Sequence, residues 1–137
     1  MMLVEKISNT TKTFKTFDTN VNIYRSEIHI IQLIGDREGM HISEISRLIG
    51  VTKGTVSQIV KRLEKKGLAE KHIDKDNNTR QLVNLTDKGI IAYNAHVNFH
   101  IHQHKKMEIF LQSLTPENRI VLNSFLEKAY DMIEDHL

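Results

Sequence analysis

Cysteine is absent from all 137 residues, which excludes disulfides, thiolate nucleophiles and cysteine-based zinc sites. No apolar run approaches the roughly 20 residues that a membrane-spanning helix requires. The opening segment, MMLVEKISNTTKTFK, has neither the basic start nor the long apolar stretch of a secretory signal. A cytoplasmic location is therefore expected. Catalytic signatures are missing as well: there is no G-x-S-x-G and no glycine-rich phosphate loop, and HISEI and HIHQH do not fit H-E-x-x-H. On these grounds the chain is not expected to be an enzyme. Internal repeats and low-complexity tracts are lacking, and proline occurs once, at Pro116.

What is present suits one globular domain with a real core: 39% hydrophobic and 26% charged residues. The net charge of +2 conceals an asymmetry. Residues 51–80 carry eight Lys or Arg against four acids, whereas residues 107–137 carry two against six. A basic middle beside an acidic end suits a module with one nucleic-acid face, although a solvated charged surface explains it nearly as well.

Apolar spacing predicts a helix over about 3–17, with Leu3, Val4, Ile7, Phe14 and Phe17 as its apolar points. A second helix is expected from a Ser26 cap to near Gly35, then a short strand at Met40–Ile42, then a helix capped by Ser43 and stopped by Gly50. The segment VTKGTVSQIVKRLEKKGLAEKHIDKDNNTR, residues 51–80, is the most informative. Thr52 can cap a helix whose Val56, Ile59, Val60 and Leu63 recur at i, i+3, i+4, i+7 and so form one buried stripe. Gly67 stands where a left-handed C-terminal cap is expected. Leu68–Ile73 and Gln81–Leu85 read as antiparallel strands around a polar tip at 74–80. Thr86-Asp87 starts a long helix to about Ser113. Thr115-Pro116-Glu117 starts another, with Thr as cap and Pro in the first turn. The apolar set of that last helix, including Ile120, Leu122, Phe125, Leu126, Met132 and Ile133, is too wide for one stripe on a monomer, so a homodimer is expected.

Two helices joined by a tight turn and followed by a hairpin make a winged helix-turn-helix, the fold expected here: mainly α with a small β-hairpin wing. The exposed face of helix 52–66 carries Lys53, Thr55, Ser57, Gln58, Lys61, Arg62 and Lys65. Thr55, Ser57 and Gln58 are short enough to let a helix sit deep in the major groove of double-stranded DNA, and Gln can pair with adenine. Lys61, Arg62 and Lys65 suit phosphates, which position without specifying. The competing readings are a sequence-nonspecific DNA binder and, further off, a small metal-binding enzyme.

The segments HISEISRLIGVTKGTVSQIVKRLEKKGLAEK, VNLTDKG and LTPE together resemble the MarR family of transcription regulators. The resemblance spans nearly the whole chain and implies a single MarR-type domain over 1–137. It implies a DNA-binding lobe over about 26–88 and dimerisation helices over about 3–20 and 89–136. It also implies a homodimeric, ligand-responsive repressor on a pseudo-palindromic operator. Many members carry an Asp-x-Arg-Arg wing; here the tip is DKDNNTR, leaving Arg80 as its sole arginine and Asp76 as the expected buttress.

Within the family, SEIHIIQLIG and AHVNFHIHQHKK resemble the fatty-acid-synthesis repressors, which respond to acylated carrier protein. His29, His96 and His100 also fall where zinc-responsive uptake repressors place three ligands of one site. Independently of the resemblance, His96 and His100 are one helical turn apart and share a face. These three histidines are thus candidates for a Zn²⁺ site, or for a pH-sensitive or acyl-group-binding pocket. The matching glutamate of the zinc repressors is absent, Glu5 and Asp18 being the nearest acids. Positions matching their second metal site are apolar.

Overall fold

Alternating helical stripes and two left-handed glycine stops organise the chain, whose computed structural model describes residues 14–74 and 77–134. In chain order the elements are β1 (Phe14–Lys15), β2 (Ile23–Tyr24), α1 (Arg25–Asp36), β3 (Met40–His41) and α2 (Ile42–Ile49). There follow α3 (Lys53–Lys65), β4 (Ala69–Asp74), β5 (Asn77–Leu85), α4 (Asp87–Ser113) and α5 (Pro116–Glu134). Strands β4 and β5 form an antiparallel hairpin, and β3 pairs antiparallel on the far side of β5 through Met40↔Val83 and His41↔Leu82. This is the expected winged helix-turn-helix, mainly α with a small wing. The chain divides into two compact units, one running to Asn98 and the other beginning at Phe99.

The core lies in the first unit. Ile28, Ile31 and Ile34 of α1, Ile45 of α2, and Val56, Ile59, Val60 and Leu63 of α3 are buried together with Met40, Leu68, Val83 and Ala92. The four α3 residues are the stripe expected from their spacing. Leu48, by contrast, is about half exposed at 48% and adds little to α2's buried side.

Local chemistry explains the helix boundaries. Thr52 caps α3 by accepting from the Thr55 backbone N–H at 3.2 Å. The Ser26 and Ser43 caps are not formed. Instead Tyr24 and His41 occupy the N-cap positions, and their backbone N–H groups donate to the Glu27 and Glu44 carboxylates at 2.9 and 3.0 Å. An acid three residues into the helix satisfies the orphan donor from inside. At the end of α3, Gly67 has φ +71°; its N–H donates to Glu64 O and that of Leu68 to Leu63 O, both at 2.9 Å. That pair of bonds is a Schellman cap, which a residue with a Cβ would strain.

Gly35 does not end α1, which runs to Asp36. Its missing side chain serves packing, since a Cβ there would clash with the ring of Tyr93. The Tyr93 hydroxyl donates to Asp36 at 2.8 Å. That hydrogen bond, then desolvation and the Asp36 charge, raise its pKa above the ordinary phenol range.

The helix expected over 3–17 is not borne out where the structure describes it, and residues 1–13 lie outside the described residues. Phe14–Lys15 is a strand paired with Ile23–Tyr24, and Phe17 and Asp18 turn the chain at φ 45° and 59°. Threonine-rich, β-branched sequence favours that extended state. The Phe14 ring packs edge-on against Tyr24, with centroids 5.9 Å apart. The wing strands also run further than expected: β5 begins at Asn77 rather than Gln81.

Candidate nucleic-acid interface

Burying the Val56–Ile59–Val60–Leu63 stripe turns the opposite face of α3 to solvent. Lys53, Thr55, Gln58, Lys61, Arg62 and Lys65 are exposed, and Ser57 is half-buried. The Thr55 hydroxyl lies 2.9 Å from that of Thr52, so it is held by the cap although the residue is exposed. Beyond Lys53, the short polar side chains therefore cluster in the N-terminal half of α3, with Lys61, Arg62 and Lys65 towards its C-terminal end, as their order in the sequence predicts.

Arg62 and its neighbour Lys66 have a second task that sequence reasoning missed. Glu27 is fully buried, and its carboxylate accepts from Lys66 Nζ at 2.6 and 2.8 Å and from Arg62 Nε at 3.4 Å. Lys66 Nζ also donates to the Asn22 carbonyl at 2.8 Å and sits 4.9 Å from the centre of the Tyr24 ring. This network rivets the C-terminal end of α3 to the start of α1. Arg62 is thus shared between the lobe and the exposed face. The signal was present in sequence: Glu27 stands in register with Ile31 and Ile34, an acid on an otherwise apolar stripe.

In the wing, Arg80 is exposed. Asp76, its expected buttress, lies outside the described residues. The wing is tied to the helices by Lys71 Nζ on Glu64 at 2.9 Å and by Asn84 Nδ2 donating to Glu38 O at 3.0 Å. His41 adds a third tie, with Nε2 3.1 Å from Asp74 Oδ2 and Nδ1 3.1 Å from Gln81 O.

Of the three candidate ligand histidines, His29 and His96 come together, their ring centroids 6.3 Å apart. His96 is buried, with the Phe17 ring edge-on at 5.5 Å. His100 falls in the second unit, beside Phe99 and His104 at 5.8 and 6.2 Å. Among the described residues, no group of three or more His, Asp or Glu is placed to hold a metal ion.

A capped helix with a buried apolar stripe, a polar and basic outer face, a preceding helix and a β-hairpin define the class: a winged helix-turn-helix. Comparison points to a family. Residues 23–80 match the model of the MarR family, which the chain resembles through this lobe. It is 27% identical over 109 residues to the HTH-type transcriptional regulator PchR of Bacillus subtilis, covering 80% of this chain and 64% of that one. It is 27% identical over 92 residues to the HTH-type regulator YhjH of the same organism, of which it spans 53%. The chain thus spans less than two thirds of the length of either relative. The fold of Streptococcus pneumoniae FabT in complex with DNA superposes with TM-score 0.66 at 26% identity, covering 99% of this chain and 90% of that one. Lactococcus lactis ZitR, a zinc-responsive MarR family member, shares the fold at TM-score 0.76 and 16% identity, over 96% of this chain and 92% of that one.

Proposed function

We propose that this chain is a sequence-specific transcription regulator that binds double-stranded DNA as a homodimer. Helix α3 enters the major groove, and the β4–β5 wing reaches the flanking backbone or minor groove. The observation that carries this reading is α3 itself: its apolar stripe is wholly buried, while Lys53, Thr55, Gln58, Lys61 and Lys65 stand exposed on the other face. Short polar side chains read base edges, and the longer cations take phosphates. Two lobes related by a two-fold axis would meet half-sites about 34–36 Å apart, which makes the operator pseudo-palindromic and allows repression by excluding polymerase. The dimer is supported by the unburied apolar surface of α5. No observation favours the metal-binding enzyme. The nonspecific binder differs from our reading in one measurable respect, the ratio of affinities for cognate and scrambled duplex.

Selecting bound duplexes from a random pool tests the reading, and Gln58→Ala sharpens it. The substitution is expected to cost roughly 1–3 kcal/mol of discrimination between the selected and a scrambled duplex at fixed salt. Equal losses on both duplexes would show that Gln58 does not read bases. Failure to enrich any sequence would favour the nonspecific binder.

A further inference from the structure

The wing has one attachment whose chemistry is more demanding than its size suggests. Strand β3 is two residues long and ends at His41, so beyond the His41↔Leu82 pair the outer part of β5 is flanked by β4 alone. The hairpin register also breaks there. Continuing from Ile73↔Gln81 would set Asp74 opposite Arg80, but Asp74 pairs with Asn77 instead. Breaks of this kind re-aim side chains. The Asp74 carboxylate lies 3.1 Å from Nε2 of His41, whose Nδ1 lies 3.1 Å from the Gln81 carbonyl. Both side chains are mostly buried, at 16% and 21% exposure.

A backbone carbonyl can only accept, and so can an ionised carboxylate. Neutral imidazole carries one N–H and can satisfy one of them; the imidazolium carries two and satisfies both. The charged groups among the described residues that meet His41 are both acids. One is Asp74 from β4, and the other is Glu44 from α2, whose carboxylate accepts the His41 backbone N–H. From β5 the ring meets the Gln81 carbonyl dipole. The wing's other histidine ion pair, His72 with Glu70 at 2.9 Å, is more than half exposed and does not bridge elements. We infer that His41, as the imidazolium bridging Asp74 and Gln81, is a proton-dependent fastener that positions the wing against the helix-turn-helix and so couples DNA affinity to pH.

The sign follows from the donor count. At low pH both N–H groups are present, the fastener is closed and the wing is held. As pH rises, one proton leaves, the ring can donate to only one of the two acceptors, and the wing loses this tie while those of Lys71 to Glu64 and Asn84 to Glu38 remain. If fastening favours DNA binding, the DNA complex binds that proton more tightly than the free protein does, so affinity falls as pH rises. One proton limits the dependence to about tenfold per pH unit.

This inference rests on the DNA-binding reading, and two measurements separate the two. First, affinity for the selected duplex is measured at fixed salt between about pH 6 and about pH 8, the range over which imidazole changes charge. Wild type is expected to lose about three- to tenfold, whereas Asp74→Asn, whose amide can donate to a neutral ring, is expected to change less than about twofold. His41→Asn should be equally flat. Second, ¹⁵N shifts of the His41 ring without DNA report whether both nitrogens are protonated in wild type at the lower pH and whether Asp74→Asn favours the single-proton form. Parallel pH profiles in wild type and both variants, or a His41 ring carrying one proton throughout, would overturn the fastener. A wild type that binds no duplex would overturn the DNA reading, with the ring shifts still deciding the fastener.

Discussion

The two compact units of this chain solve the burial problem in opposite ways. In the first, the buried apolar residues among the described ones fall between Ile23 and Ala92, enclosed by helices and sheet. In the second, α5 buries nothing: Ile120, Val121, Phe125, Leu126, Met132 and Ile133 are all more than half exposed. The charge pattern differs as well, with the excess of cations on α3 and the wing and the excess of acids after Met107. A stripe one helical face wide suffices for a lobe that closes on itself. An apolar set spread around α5 can be covered only by another surface. On the proposed reading, the lobe faces DNA and the apolar set of α5 faces a partner.

The comparison breaks most visibly if α5 is removed. The intact chain is expected to scatter light as a species of twice the 15.9 kDa of one chain. Truncation before Thr115 should leave it monomeric or aggregated, because each Ile, Leu or Phe withheld from burial forfeits on the order of 1.5–3 kcal/mol. A mass near 15.9 kDa for the intact protein would refute the partnered reading of α5.

Within the lobe, the Glu27 network is the polar counterpart of the apolar core. Removing its carboxylate by Glu27→Ala strands Lys66, whose side chain is 22% exposed, and frees Arg62, which is 49% exposed. A wholly buried pair would lose roughly 3–5 kcal/mol. Because Lys66 can still reach some water, about 2–3 kcal/mol is expected, read as a lower urea midpoint at unchanged slope. Stability unchanged within about 0.5 kcal/mol would mean that the network orients α3 without holding the lobe together.

Much of this was legible before any coordinates. The Val56–Leu63 stripe, the Thr52 cap, the Gly50 and Gly67 stops and the exposed face of α3 all follow from period and local chemistry. What escaped involved long-range partners. Tyr24 and His41 took the N-cap positions because Glu27 and Glu44 satisfy their N–H groups, so the serines beside them were not needed. The helix expected at 3–17 fails at Phe14–Lys15 because a partner strand, Ile23–Tyr24, was invisible to periodicity. His29 and His96 meet, as their likeness to the zinc repressors implies. His100 lies in the second unit. Arg62 illustrates the general limit: exposure on a helix is readable from spacing, and so is an acid on an apolar stripe, but their pairing across 35 residues is not.

The smallest effect concerns the wing, where the lobe meets DNA with the least sequence support. Arg80 is exposed beside the register break, and Asp74 is drawn off to His41 instead of standing opposite it. Arg80 is therefore free to take a phosphate or enter the minor groove. A contact of that kind is electrostatic and indifferent to sequence, and each phosphate neutralised adds about one unit to the slope of log affinity against log salt. Arg80→Ala is expected to weaken binding to selected and scrambled duplexes alike and to flatten that slope by roughly one unit. The contrast with Gln58→Ala, which should act on the selected duplex alone, divides positioning by the wing from reading by α3. If Arg80→Ala leaves the slope unchanged, the wing does not touch the backbone, and α3 alone carries the cation–phosphate contacts.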